Sequence, residues 1–422
     1  MPDLLTPSTM HVLLLGSKRE MLSSLVALGV DFSILYEPWE ESRVAPFRRK
    51  ARHWCAVDSY HSIESLLSAL RHVNVVTPID AIVATGETGI VPAAILGQML
   101  GAKALSVDVA MRARDKALQK QAWKEAGVST AAYVVVPDVL ACREQIPQLL
   151  AQANIVGPYV AKPIAMYGTR NVHHFSSQEA LIERCVAIAS QDASMRRLLI
   201  EQWIAGEEWH FDGYCIGGEI AALSMARYRE PLLQTKSGAC TASITYRPAE
   251  HAELYCAGRR FASHALSALG LTDTVFHLEA FKSDDSFDFI AGELGARPAG
   301  NYIAPVVRSA FGVDLWDAHT KLSVGHAPAS PGEGSELAWG FTDLPSVAGQ
   351  PNTVEAKHLE RLAGVREVSV STPLGTPMRD MTTSSAFNIG HAVVAGETEE
   401  QCEQLIAAVQ EETMRLHRSA TT

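Results

Sequence analysis

The feature that most constrains this chain is an alternation of short apolar runs with helix-patterned stretches near its start. His11–Gly16 reads HVLLLG, a run that ends in glycine and suits a strand buried on both faces. Glu20–Leu28 has helical spacing, and Phe32–Tyr36 (FSILY) reads as a second strand. Ser62–His72 is again helical. Ala81–Ala84 (AIVA) is a further strand, followed by Thr85-Gly86-Glu87-Thr88-Gly89 and a helix through Leu100. Strand and helix in turn predict a doubly wound α/β unit with a parallel sheet over residues 10–108.

Beyond it the pattern changes. Arg112–Ala126 has helical spacing and is stopped by Gly127. Tyr133–Val136 reads as a strand, 141–152 as a helix, and Tyr159–Lys162 (YVAK) as a strand broken by Pro163. Leu198–Ile204 is apolar and predicts another strand. Trp209–Ile216 and Glu219–Ala226 predict a hairpin across Gly217-Gly218. His251–Leu269 is helical, and Val275–Phe281 with Phe287–Glu293 predicts a second hairpin. The stretch 327–336, APASPGEGSE, marks a loop or boundary. After it, Val365–Ser371, Asn388–Val394 and the helix Thr398–Leu416 predict a small closing α+β lobe. The length, 422 residues, suits about three units of roughly 150 residues.

Charge and cysteine content narrow the classes of function. The formal net charge of −11 disfavours nucleic acid or an anionic membrane as a partner for the surface as a whole, yet allows a local cationic pocket for one nucleotide. No apolar run approaches a membrane span. Met1–Met10 lacks the basic and apolar segments of a secretory signal. The seven cysteines include no CxxC pair, so neither a disulfide framework nor a zinc site is expected. A cytoplasmic location is the expectation.

The second hairpin carries the sharpest chemistry, in VFHLEAFKSDDSFDFIAGELGARPAG. Glu279 and Glu293 are an even number of residues apart. With a turn centred near Ser286 they face each other on one side of the hairpin, with Cβ atoms about 4.5–5.5 Å apart. Two carboxylates so close repel unless a cation lies between them, and Mg²⁺ is the cation that shares such ligands with phosphate oxygens. Arg297, four residues beyond Glu293 in a Gly- and Pro-containing turn, can be aimed at the same place. A solvated pair of edge-strand glutamates is the plain alternative. The apolar neighbours Phe276, Leu278, Phe281, Phe289 and Ile290 argue instead for a packed hairpin.

Other pieces are weaker alone. Lys162-Pro163 ends a strand and opens the loop Ile164–Asn171, so the lysine can point at a phosphate while the loop covers a ligand. Asp115-Lys116 is also the ordinary charge pair of a helix start. Glu201-Gln202-Trp203-Ile204 ends a strand, where backbone groups can read an adenine edge. Gly206-Glu207-Glu208 follows, with carboxylates that can accept from ribose hydroxyls. Gly16-Ser17-Lys18 is no GxGxxG, and neither a Walker-type loop nor a GxSxG elbow is present. His173, His174, His210 and His277 lack zinc spacing.

Taken in order, Asp115-Lys116, Lys162-Pro163, Glu201–Ile204, Gly206–Glu208, Glu279, Glu293 and Arg297 resemble the ATP-grasp superfamily of carboxylate–amine ligases. The most specific piece runs from His277-Leu278-Glu279 to Glu293-Leu294-Gly295-Ala296-Arg297. Within the superfamily the chain looks most like the L-amino acid ligases that make dipeptides. The resemblance implies a combined α/β and α+β fold in four parts. These are an N-terminal pre-ATP-grasp domain (1–108), linker helices and a lid (109–200), the grasp core (201–325) and a C-terminal lobe (326–422).

For matching positions the resemblance implies that Lys116 and Lys162 contact ATP phosphates. Glu201 with the Trp203 and Ile204 backbone would hold adenine, and Glu208 would hold ribose. Glu279 and Glu293 would hold Mg²⁺, or Mn²⁺ in its place, and Arg297 would steady an acyl phosphate. It further implies small-molecule amino acid or other carboxylate substrates, a role in small peptide natural-product (antibiotic) biosynthesis, and a homodimer.

Two departures stand out. The loop after Lys162-Pro163 has only Gly168, so closure is expected to use side chains such as Thr169 and Arg170. Gly295 stands where many ATP-grasp enzymes have Asn.

Three other functions remain open from sequence. One is an ATP-grasp ligase or carboxylase acting on a non-amino-acid carboxylate. Another is a nucleotide-binding protein without catalysis. The last is an NAD(P)-dependent oxidoreductase built on the first α/β unit. Arg227, Arg229, Lys236 and Arg308 are candidates to pair with a substrate carboxylate. Met166, Trp209, His210 and Tyr302 are candidates to shape an amino-acid pocket, with surface or core roles as the alternative for each.

Overall fold

The computed structural model describes residues 10–74, 78–166, 168, 171–282, 287–332, 334–384 and 387–419. Ser286, Thr169 and Arg170 lie outside the described residues. The N-terminal unit has four strands, β1 (His11–Leu15), β2 (Asp31–Tyr36), β3 (His53–Ala56) and β4 (Ala81–Ala84). They pair in parallel in the order β3-β2-β1-β4. Every residue of β1 and β4 is buried, as a parallel strand covered on both faces requires. At the carboxyl edge of β1, Gly16 has φ +119°, and a Cβ there would come within 1.8 Å of Thr85 Oγ1. The loops after β1 and β4 therefore meet tightly, which places Glu87 at the edge of the sheet where α/β folds bind ligands.

A second sheet holds β5 (Tyr133–Val136), β6 (Tyr159–Pro163), β7 (His173–Phe175) and β8 (Leu198–Gln202), all antiparallel, in the order β5-β8-β6-β7. It has a core of its own, including Val136, Ile146, Leu150, Leu181, Leu198 and Ile200. A unit with its own core can move as a body. Strand β8 ends at Gln202, short of the expected Ile204, because the next position in register is Pro158, which accepts from Trp203 N–H (2.9 Å) but has no N–H to return. The strand also crosses the boundary expected at 200/201.

The largest sheet has eight strands. They are β9 (Glu207–Ile216), β10 (Glu219–Tyr228), β11 (Ala242–Thr245), β12 (Thr274–Lys282), β13 (Phe289–Gly295), β14 (Ala338–Asp343), β15 (Val365–Val370) and β16 (Gly390–Gly396). Their order is β13-β12-β9-β10-β11-β14-β16-β15. The stretch 326–422 was expected to close the chain as a small lobe. Its strands instead continue the sheet of the core, because β11 pairs with β14 and leaves no break between them.

Alternate residues of the central strands face a helical layer that includes Ala252–Leu269. Phe211, Phe276, Leu278 and Ala280 join Leu254, Ala262 and Leu266 in one cluster, which runs on into Val12 and Leu14 of the N-terminal sheet. The opposite residues, Glu208, His210, Asp212, His277 and Glu279, are left for other work.

The helix expected over 112–126 is two helices, Val107–Arg112 and Lys116–Ala126. The break falls at Asp115, whose carboxylate caps the second helix by accepting from Ala117 N (2.8 Å) and Leu118 N (3.0 Å). Among the described residues no helix is long and apolar enough to cross a membrane, and the seven cysteines are unpaired.

Gly213 sits at a close approach of β9 and β10, beside the register shift between Ile220 and Ala222. A Cβ there would lie 2.0 Å from Ala222 O and 3.2 Å from the Phe276 ring. Gly213→Ala is expected to destabilise the fold by about 1–3 kcal/mol, read from urea denaturation. An unchanged midpoint would contradict this packing.

Candidate functional site

The hairpin β12–β13 places Glu279 directly opposite Glu293. A bulge between Glu279 and Ala280 leaves Gly292 unopposed and shifts the register beyond it. Both carboxylates line a cavity of about 430 Å³ between the second sheet, the core sheet and the N-terminal unit. Of the other expected residues, Lys162, Glu201, Trp203, Ile204, Glu208 and Arg297 also line it. Lys116 reaches it through Glu293, its Nζ 2.8 Å from Glu293 Oε1, and donates to Met166 O (2.5 Å).

The cations come from different elements. Lys162 ends β6 and lies 2.6 Å from Glu201 Oε1. The other Glu201 oxygen is 2.8 Å from Lys120 Nζ. Burial alone would raise the Glu201 carboxyl, but the charges of Lys120 and Lys162 outweigh burial and hold it at about 2. Glu201 thus spends its side chain on two lysines.

Glu208 is different. Burial, then repulsion from Glu279, pushes its carboxyl up to about 8, against one hydrogen bond accepted from Leu232 N (2.7 Å). Below Glu279 lies His277, whose Nε2 is 3.2 Å from Glu279 Oε1 and whose Nδ1 is 2.9 Å from Asp212 Oδ1. Burial opposes the charged ring, but Asp212 and Glu279 win and raise it to about 10. His210 Nδ1 holds the other Asp212 oxygen at 2.5 Å.

Arg297 is the cation on the far side. Its Nε donates to Glu87 Oε2 (2.5 Å) and its Nη1 to Pro298 O (2.8 Å). Burial would raise the Glu87 carboxyl, but Arg297, then Arg114 and Lys116, hold it below the usual carboxylate range. A Cβ at Gly295 would lie 3.7 Å from both Glu87 Oε2 and the Arg297 side chain. The position that is often Asn therefore faces this pair.

Sequence reasoning missed Glu87, Gln119 and Lys120. Glu87 lies 210 residues from its partner Arg297, and no local pattern marks it. The other two had a signal. Lys116, Gln119, Lys120 and Trp123 fall at i, i+3, i+4 and i+7 of one helix and are all buried. Gln119 clamps the backbone of Leu294 at 2.6 and 2.9 Å, next to Glu293.

Several pocket candidates lie elsewhere. Trp209 packs on the helical face against Tyr246 and Phe289. Arg227 pairs with Glu207 (2.7 Å) and Arg229 with Gln410 (2.9 Å), away from the cavity lining. Arg308 is paired with Asp314 at 3.7 Å, and Lys236 Nζ lies 3.4 Å from Thr383 O. Tyr302 stacks on His391. His210 is 2% exposed and lies beneath the cavity, not in its lining.

The arrangement offers facing carboxylates, buried cations and a strand end leading into one cleft. All the facing oxygen donors suit Mg²⁺. Such a site can hold a nucleotide polyphosphate beside a second anion.

No family model matches the chain. It is 26% identical over 371 residues to an L-arginine-specific L-amino acid ligase of Bacillus subtilis, covering 87% of each chain. Among solved structures it is similar to an L-amino acid ligase from Bacillus licheniformis. That match has a TM-score of 0.76 and 16% identity, and covers 96% of this chain and 98% of that one. It is also similar to carboxyaminoimidazole ribonucleotide synthase from Aspergillus clavatus, solved with ATP. There the TM-score is 0.72 at 16% identity, over 97% and 99% of the two chains. The chain has the ATP-grasp fold and resembles the L-amino acid ligases along most of its length.

Proposed function

We propose that the protein joins the carboxylate of an amino acid to an amine, forming an amide at the expense of ATP, in the making of a small peptide product. The observation that carries this is the placement of Glu279 and Glu293 opposite each other in a cleft shared with Lys162 and Arg297. Cations gathered at one cleft suit a reaction that brings several anions together. Likeness to an amino acid ligase supports the substrate class.

In this reading Lys116 and Lys162 face the ATP phosphates. Trp203 N–H is already given to Pro158 O, so Trp203 C=O and Ile204 N–H would meet the adenine edge. Glu208 would accept from ribose. Glu279 and Glu293 would hold Mg²⁺, which when bound neutralises phosphate charge. A substrate carboxylate oxygen attacks the γ-phosphorus, and the bond to the β-phosphate oxygen breaks to release ADP. The amine then attacks the acyl carbon, the carbon–oxygen bond to phosphate breaks, and a proton leaves the nitrogen. Arg297 would stabilise the charge on the acyl phosphate oxygens. The second sheet, with its separate core, closes over the cleft and keeps water from the acyl phosphate.

The test is release of ADP and phosphate from ATP and Mg²⁺ with pools of L-amino acids, with the products read by mass spectrometry. The expected result is release that requires amino acids, and a product mass equal to two substrates minus water. Release that requires only a non-amino-acid carboxylate would overturn the substrate class. Nucleotide binding without release in any pool would overturn catalysis.

A further inference from the structure

Lys120 has no part in the mechanism above, yet it is among the most deeply buried side chains in the molecule, at 1% exposure. Its Nζ lies 2.8 Å from Glu201 Oε2 and donates to Thr130 Oγ1 at 2.9 Å. Thr130 Oγ1 in turn donates to Ala291 O on β13 at 2.9 Å, two residues from Glu293. The remaining Glu201 oxygen, Oε1, is 2.6 Å from Lys162. One buried carboxylate is thus shared by two buried ammonium groups, on three different elements.

Charge balance gives this trio its meaning. Lys162 and Glu201 alone would be a neutral pair, with the ammonium drawn wholly onto the carboxylate. Adding Lys120 leaves the trio with one net positive charge, and Lys162 is the member at the cavity wall. A buried ammonium is costly unless paired. A helix position that needed only packing would hold Leu or Met at no such cost.

We propose that Lys120 is a positioning residue. By taking half of Glu201, it frees the Lys162 ammonium to face a nucleotide phosphate and fixes its direction from a helix tied to the metal-facing strand. The inference rests on the nucleotide role proposed for Lys162.

The experiment is ADP binding by isothermal titration calorimetry to wild type, Lys120→Met, Glu201→Gln, the double variant and Lys162→Met, each checked by thermal melting. Lys120→Met is expected to weaken ADP binding about tenfold, within the range of couplings between contacting groups. The double variant is expected to recover most of that loss, because Lys162 then has no carboxylate to satisfy. A merely structural lysine predicts instead that ADP binding follows the melting midpoint through the series, with Lys120→Met weakening binding only as far as it lowers that midpoint.

Should Lys120→Met not fold, Lys120→Gln carries the same expectations. ADP binding at the wild-type level in Lys120→Met, or no recovery in the double variant, would overturn the proposal. Lys162→Met separates the two readings. If it weakens binding while Lys120→Met does not, only the positioning role falls. If it leaves binding unchanged, the nucleotide role of Lys162 falls and the positioning role with it.

Discussion

Glu293→Gln is expected to lower ATP-dependent amide formation by about 10³-fold or more, while the protein stays folded. Charge stabilisation by a bound metal contributes several kcal/mol to such reactions, and each 1.36 kcal/mol is a factor of ten. The substitution keeps the shape of the side chain and leaves an amide oxygen for Lys116, which lies 2.8 Å from Glu293 Oε1. Folding therefore loses little. What is lost is one of two negative charges set opposite each other across β12 and β13. Mn²⁺ binding in the presence of ADP, followed by electron paramagnetic resonance, is expected to weaken in parallel. Near-normal turnover, or unchanged Mn²⁺ binding, would remove Glu293 from the metal site.

The second large effect belongs to Arg297→Met. Loss of a donor to developing charge typically costs about 10²–10³ in kcat, and ATP binding is expected to change only a few-fold. The same substitution strands Glu87, which is buried and now bonded to Arg297 Nε at 2.5 Å. Removing one partner of a buried ion pair costs about 3–5 kcal/mol of stability. The double variant with Glu87→Gln is expected to regain most of the stability and none of the turnover. Steady-state kinetics and urea denaturation separate the two roles. Stability regained together with turnover would mean that Arg297 serves the fold alone.

The strand pairs were legible where strict alternation met a clear turn. The even spacing from Glu279 to Glu293 sets the two carboxylates in register, because side chains on a strand repeat every two residues. The same parity rule puts Trp209 in the core, the alternative given for it, and not at the cavity. Glu208, His210 and Asp212 share the cavity side, so their odd-numbered neighbour must face the helices. The three residues of β7 are too few for a period to show, and the six of β14, AWGFTD, mix apolar and polar types without alternation. Strand β11, Ala242–Thr245, is four residues of mixed polarity with no period of its own, yet it is fully buried between β10 and β14.

The site was less legible than the fold. Motif order groups Lys162, Arg297, Glu279 and Glu293, and the four line one cavity. Glu87 was invisible, because its partner lies 210 residues away and only the meeting of two sheets brings them together. Lys120 was visible in principle. It shares a helical stripe with Lys116 and Trp123, and a lysine on a buried stripe calls for a buried anion. That anion is Glu201, which motif order assigns to adenine. In the structure its carboxylate is held between Lys120 and Lys162 instead.

The central claim is that a carboxylate is activated as an acyl phosphate. Its most direct test is incubation with ATP, Mg²⁺ and amino acids carrying ¹⁸O in both carboxylate oxygens, followed by mass analysis of the phosphate and nucleotide. The account predicts ADP, and one ¹⁸O transferred to phosphate for each amide formed. Phosphate without ¹⁸O, or ¹⁸O recovered in AMP, would contradict it.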